Sequence, residues 1–143
     1  MMTQNLVATS TITVKAPPSR VWEALTKPEL IKQYLFGTDV TTDWRVGSAI
    51  TYKGIWEGKP YEDKGNILEV EPGRLLASSY WSPLSGTPDV PENYVTVRYE
   101  IAPADGGSRL TITQDNNKTQ EDADKSAANW KMVLDGLKKL LET

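Results

Sequence analysis

Thr119–Thr143, TQEDADKSAANWKMVLDGLKKLLET, decides the fold. Ala123, Ala127, Trp130, Leu134, Leu137 and Leu141 recur at steps of four and three residues, which puts them on one face of a single long helix. Val133 and Leu140 widen that stripe, and Asp124, Lys125, Lys131, Asp135, Lys138 and Lys139 supply the polar side. Thr119 and Asp122 stand as a capping pair at its entry. Such a helix gains most of its stability from an apolar surface elsewhere in the chain.

That surface is a sheet. Leu6 to Lys15 is a first strand, rich in Thr, Val and Ile, and Ala16-Pro17-Pro18 stops it. A short helix then runs from about Ser19 to Thr26, with Val21, Trp22 and Leu25 on one side. Pro28 drives Lys27 out of helical geometry and opens a second short helix, Glu29 to Leu35, with Leu30, Ile31 and Tyr34 inward. Beyond Gly37 the period falls to two. Strands follow at Thr38–Thr42, Ser48–Trp56, Tyr61–Val70, Leu75–Trp81, Tyr94–Ile101 and Ser108–Asp115. The turns between them carry Gly47, Gly58, Pro72-Gly73 and Gly106-Gly107. One-sided alternation, clearest at Val95, Val97, Tyr99 and Ile101, predicts an antiparallel sheet with one wet face. The inward parity of Leu75–Trp81 stays open. Seven strands twist and curl, and one straight helix cannot fill the concave side. What remains is a cavity or an aromatic core.

The chain has 143 residues, the size of a single domain over 1–143. Sixteen basic against nineteen acidic residues, with no basic cluster, give nucleic acid or an anionic membrane surface nothing to bind. No apolar run spans a membrane and no signal peptide opens the chain, so the expected location is cytoplasmic. With no Cys and no His, thiol nucleophiles, disulfides, Cys- or His-based zinc sites and a His general base are excluded. No metal or cofactor is expected. Gly54 with Gly58-Lys59 is one residue short of a phosphate loop and lies in a hairpin. Asn117-Lys118-Thr119 matches a glycosylation sequon but reads as the helix entry.

Five Trp and six Tyr accompany a single Phe, so the large side chains here mostly carry a polar handle. Trp22, Trp44, Trp56, Trp81 and Trp130 each read as packing when taken singly. Taken with the inward Tyr residues as a set, a pocket for a flat apolar ligand is an equal reading. Tyr34, Tyr52, Trp56, Tyr80, Tyr99 and Trp130 are the candidate walls. Asp39, Asp43, Glu62 and Asp63 lie nearest the turns and read as solvated turn formers rather than as acid or base. No catalytic residue is assigned.

VWEALTKPELIKQYLFG, DWRVGS, EVEPGRLL and ANWKMVLDGLKKLLE together resemble the family named after activators of heat-shock protein 90 ATPase. That family belongs to the START-like (SRPBCC) helix-grip superfamily. Where Gly-Gly is usual after the DxRxG stretch, this chain has Gly47-Ser48. The resemblance implies an α+β helix-grip fold: a curved antiparallel sheet of about seven strands wrapped on the C-terminal helix, with two short helices after the first strand. It also implies a cavity for lipids, polyketides, flavonoid-like compounds or hormones, or a cyclase, or a cochaperone of the stress response. The cochaperones carry a further N-terminal docking domain, and with the first strand opening at Leu6 none is expected here. The expectation is therefore non-enzymatic binding of a small hydrophobic ligand. The alternatives are a cyclase or dehydratase with an Asp, Glu or Lys inside the cavity, and a protein-interaction module, either a homodimer or a chaperone partner.

Overall fold

The computed structural model describes residues 6–35, 37–83 and 86–142. Its elements run β1 (Leu6–Val14), α1 (Pro18–Thr26), α2 (Pro28–Tyr34), β2 (Asp39–Thr41), β3 (Ala49–Trp56), β4 (Lys59–Glu71), β5 (Leu75–Tyr80), β6 (Val95–Ala104), β7 (Gly107–Asn117) and α3 (Gln120–Leu141). The strands form one antiparallel sheet in the order β1-β7-β6-β5-β4-β3-β2. Every connection from β2 to β7 joins neighbours. Between β1 and β2, however, the chain crosses from one edge of the sheet to the other, and α1 and α2 make that crossing.

The helix-grip reading holds. α3 lies along β1 and β7 and meets α1 and α2. Thr119 caps it by accepting the Asp122 amide at 3.0 Å. At its other end Lys138 donates to the Thr13 carbonyl at 2.9 Å, and Glu142 accepts the Lys15 amide at 2.8 Å. The core beneath it joins Val14, Val21, Leu25, Leu110, Ile112, Leu134 and Leu137. The elbow between the short helices sits where Pro28 demands: Lys27 is extended, at φ −103° and ψ 114°. The turn at Gly47-Ser48 closes with Ser48, whose amide bonds the Arg45 carbonyl at 2.9 Å. Leu75 and Ala77 on β5 are buried on the face opposite Leu76 and Ser78. Ala77 lies in register between Arg98 and Glu69, whose side chains pair at 2.9 Å. Burial on both faces is why alternation alone left this strand's parity open.

β4 carries the irregularities that shape the site. At Gly65 an added Cβ would lie 1.8 Å from the Ser79 carbonyl oxygen, so only glycine lets β4 and β5 come this close. Two residues further on, the register against β5 shifts between Ile67 and Glu69. This is a β-bulge with Leu68 as the extra residue. It reverses the pleat. Before it Asp63, Gly65 and Ile67 are buried, and after it Val70 takes the inward side while Leu68 is 42% exposed.

Candidate binding cavity

A cavity of about 530 Å³ lies between the concave sheet and the middle of α3. Its apolar walls come from Leu35, Val97, Tyr99, Trp130 and Val133, and exposed Ile55 and Met132 border it as well. Two ring pairs meet edge to face: Tyr52 with Tyr80 at 5.5 Å between centroids, and Tyr99 with Trp130 at 6.0 Å.

The polar groups fall into two sets. At the α3 side, the Trp130 indole N–H donates to Gln114 at 2.9 Å, Gln114 donates to Ser126 at 3.2 Å, and Ser126 donates to Asn117 at 3.1 Å. Asn117 in turn donates to the Leu6 and Gln114 carbonyls, so the sequon asparagine is consumed by structure. The second set centres on β4. Tyr61 lies over Gly54, its cross-strand partner, where an added Cβ would come within 2.5 Å of the phenol oxygen. Its hydroxyl shares a 2.7 Å hydrogen bond with Thr38. Two residues along, Asp63 is buried and accepts the Tyr80 hydroxyl through Oδ2. Asp63 Oδ1 is closed off from solvent and has no hydrogen-bond partner among the described residues.

Burial governs the phenols. It raises Tyr52 to about 12, with the nearby Asp63 charge adding to the rise and a hydrogen bond with Ser78 opposing it. Burial also raises Tyr80, reinforced by its bond to Asp63, and it raises Tyr99 and Tyr34. Tyr52, Tyr80 and Tyr99 therefore present neutral hydroxyls throughout the ordinary pH range.

Residues 15–142 match the family described as activator of Hsp90 ATPase homolog 1-like protein, AHSA1. The chain belongs to this family. A solution structure of a protein from Cytophaga hutchinsonii is 46% identical over 99% of this chain and 97% of that one, at a TM-score of 0.86. The Aha1 dimer from Colwellia psychrerythraea is 19% identical over 95% and 96% of the two chains, at a TM-score of 0.74. A protein of the dynemicin biosynthetic locus is 19% identical, covering 96% of this chain and 48% of its own, at a TM-score of 0.80. At 19% the likeness is one of fold. No curated protein sequence matches the chain.

Within this AHSA1-family cavity, four of the six residues expected as walls come together: Tyr52, Tyr80, Tyr99 and Trp130. Tyr34 does not join them. It borders a separate void of about 30 Å³ and spends its hydroxyl on the Ala24 carbonyl at 2.7 Å, tying α2 to α1. The side chain of Trp56 lies outside the described residues. Trp22 and Trp44 pack on the core, whereas Trp81 stacks on Tyr94 and donates to Thr87. The connector that follows it, whose residues 84 and 85 lie outside the described ones, is fastened by Asp89 to Lys64 and to Tyr94.

Of the four turn carboxylates, Asp39, Asp43 and Glu62 are exposed as expected. Asp63 departs from that reading because the bulge turns it inward. Its parity with Tyr61 and Ile67 is the signal that would have found it. Ser126 and Asn129 were also missed. Their spacing beside Trp130 and Val133 marks a polar interruption in the stripe of α3 where the helix faces the cavity instead of the core. Among the described residues no helix is long and apolar enough to cross a membrane.

Proposed function

We propose that this AHSA1-family chain binds a small, flat, apolar ligand between its sheet and α3, without transforming it. The observation that carries the reading is the cavity of about 530 Å³, bordered by two edge-to-face aromatic pairs and a few convergent polar groups. That is the anatomy of a small-molecule site. A core built only to exclude water would use aliphatic side chains packed to crystal-like density. The test is a chemical-shift and thermal-shift screen of flavonoids, fatty acids and polyketide-like aromatics. A binder at a hundredfold excess over its Kd should add about 2.7 kcal/mol of stability, with shifts centred on Tyr52, Tyr99 and Trp130. Shifts confined to the outer face, or none from any compound, would remove the reading.

A second reading is kept by one observation. A cyclase or dehydratase would need an acid inside the cavity, and Asp63 is there, hydrogen-bonded to Tyr80. Such a pair could pass a proton to or from a bound carbonyl compound. Incubation with a polyketide-like ketone, followed by mass spectrometry, decides it. Unchanged substrate that is nevertheless bound leaves the non-enzymatic reading alone.

A further inference from the structure

We propose that the ligand carries a protonated amine, which Asp63 holds while the aromatic walls surround the apolar remainder. This rests on the binding reading above and gives it a chemical class. Asp63 is 6% exposed, and among the described residues it takes part in no ion pair. Its neighbour Lys64 points the other way, to Asp89 and over the Trp81 ring. Among the described residues no Lys or Arg lines the cavity. The groups acting on the Tyr52, Tyr80 and Tyr99 phenols are Asp63, Ser78 and other tyrosines.

A carboxylate withdrawn from water and lacking a counter-charge is costly, and a partner that brings both a positive charge and N–H donors offsets that cost. Asp63 Oδ1 lacks a hydrogen-bond partner among the described residues, and it can accept once an entering amine opens the contact that closes it off from solvent. Five aromatic side chains line the same space, Tyr52, Tyr61, Tyr80, Tyr99 and Trp130, and an amine seated over the face of one of them gains cation–π attraction. A carboxylate-bearing ligand such as a fatty acid meets the opposite conditions: like charge and no basic side chain to receive it. A neutral alcohol can satisfy the acceptor but leaves the charge unmatched. The order of affinity should run amine, alcohol, carboxylate.

The test compares naphthylmethylamine, naphthylmethanol and naphthoate on the full chain, with naphthalene as a neutral probe of the cavity, all by chemical-shift titration. The amine should bind about tenfold or more tighter than the alcohol, the advantage of a charge-assisted hydrogen bond, and naphthoate should be weakest. In Asp63→Asn the amine-to-alcohol ratio should fall to within about threefold. An amine with no advantage in the wild-type chain overturns the inference, as does an advantage that survives in Asp63→Asn. If naphthalene binds while the amine ranks no higher than the alcohol, this inference falls and the binding reading stands. If none of the four compounds moves the spectrum, both fall. The wild-type ranking decides the matter even if the variant does not fold.

Discussion

Asp63 and Tyr80 are coupled through one hydrogen bond, and its carboxylate end is buried. Removing one partner should therefore cost more than removing both. Tyr80→Phe leaves a buried carboxyl without its donor and should lower stability by about 1–3 kcal/mol. Asp63→Leu/Tyr80→Phe should recover most of that loss, because apolar groups of similar shape leave no polar atom unsatisfied. Urea unfolding of the two variants checks the order. The buried phenols make a second prediction. Their folded pKa values are raised, so the stability they contribute is complete below about pH 10, where the unfolded chain keeps its phenols protonated. It is lost as pH climbs toward the folded values, about 12 for Tyr52. Phenolate absorbance should rise in one cooperative step with loss of circular dichroism. A gradual rise while the fold persists would contradict it.

At the scale of elements, what was legible in the sequence and what was not follow from period. α3 declared itself because its apolar residues repeat one pattern along the helix, and its cap rests on a single side chain. Thr119→Ala should cost about 1 kcal/mol, and Thr119→Asp should keep nearly all of it, as read by thermal unfolding. The two short helices were legible because proline constrains both their starts and the break between them. β4 was not. Alternation counted backward from Val70 puts Glu62 and Lys64 inside, whereas counted forward from Tyr61 it puts Asp63 there. Nothing local in the residues around Leu68 announces the extra one, because the bulge is fixed by pairing with β5. Tyr34 escaped for a different reason. Its helical position points inward whether it meets a cavity or, as here, a carbonyl of α1 and the bare face of Gly136.

At the scale of the molecule, the grip is uneven. Around β1 and β7 the sheet is closed by α3, β6 is met by α1, and the core there is continuous. Toward β2 it ends in a three-residue edge strand paired only with β3. Local opening should follow that gradient. Amide exchange should be slowest in β6, β7 and the second half of α3 and fastest in β2 and β3. A bound ligand should slow β3 and β4 more than β1. Uniform protection across the sheet would count against the gradient.

The bulge at Leu68 has one more consequence, for the comparison of relatives. It acts like a frameshift in the pleat, so which residues the cavity meets depends on where one surplus residue is placed and not on side-chain identity alone. A relative with identical residues but the surplus moved to the hairpin side of position 62 would present Glu62 and Lys64 to its ligand in place of Asp63. Another that lacked the residue altogether would keep the wall of this chain. Two such proteins would differ by a single alignment gap and still present differently charged walls to their ligands.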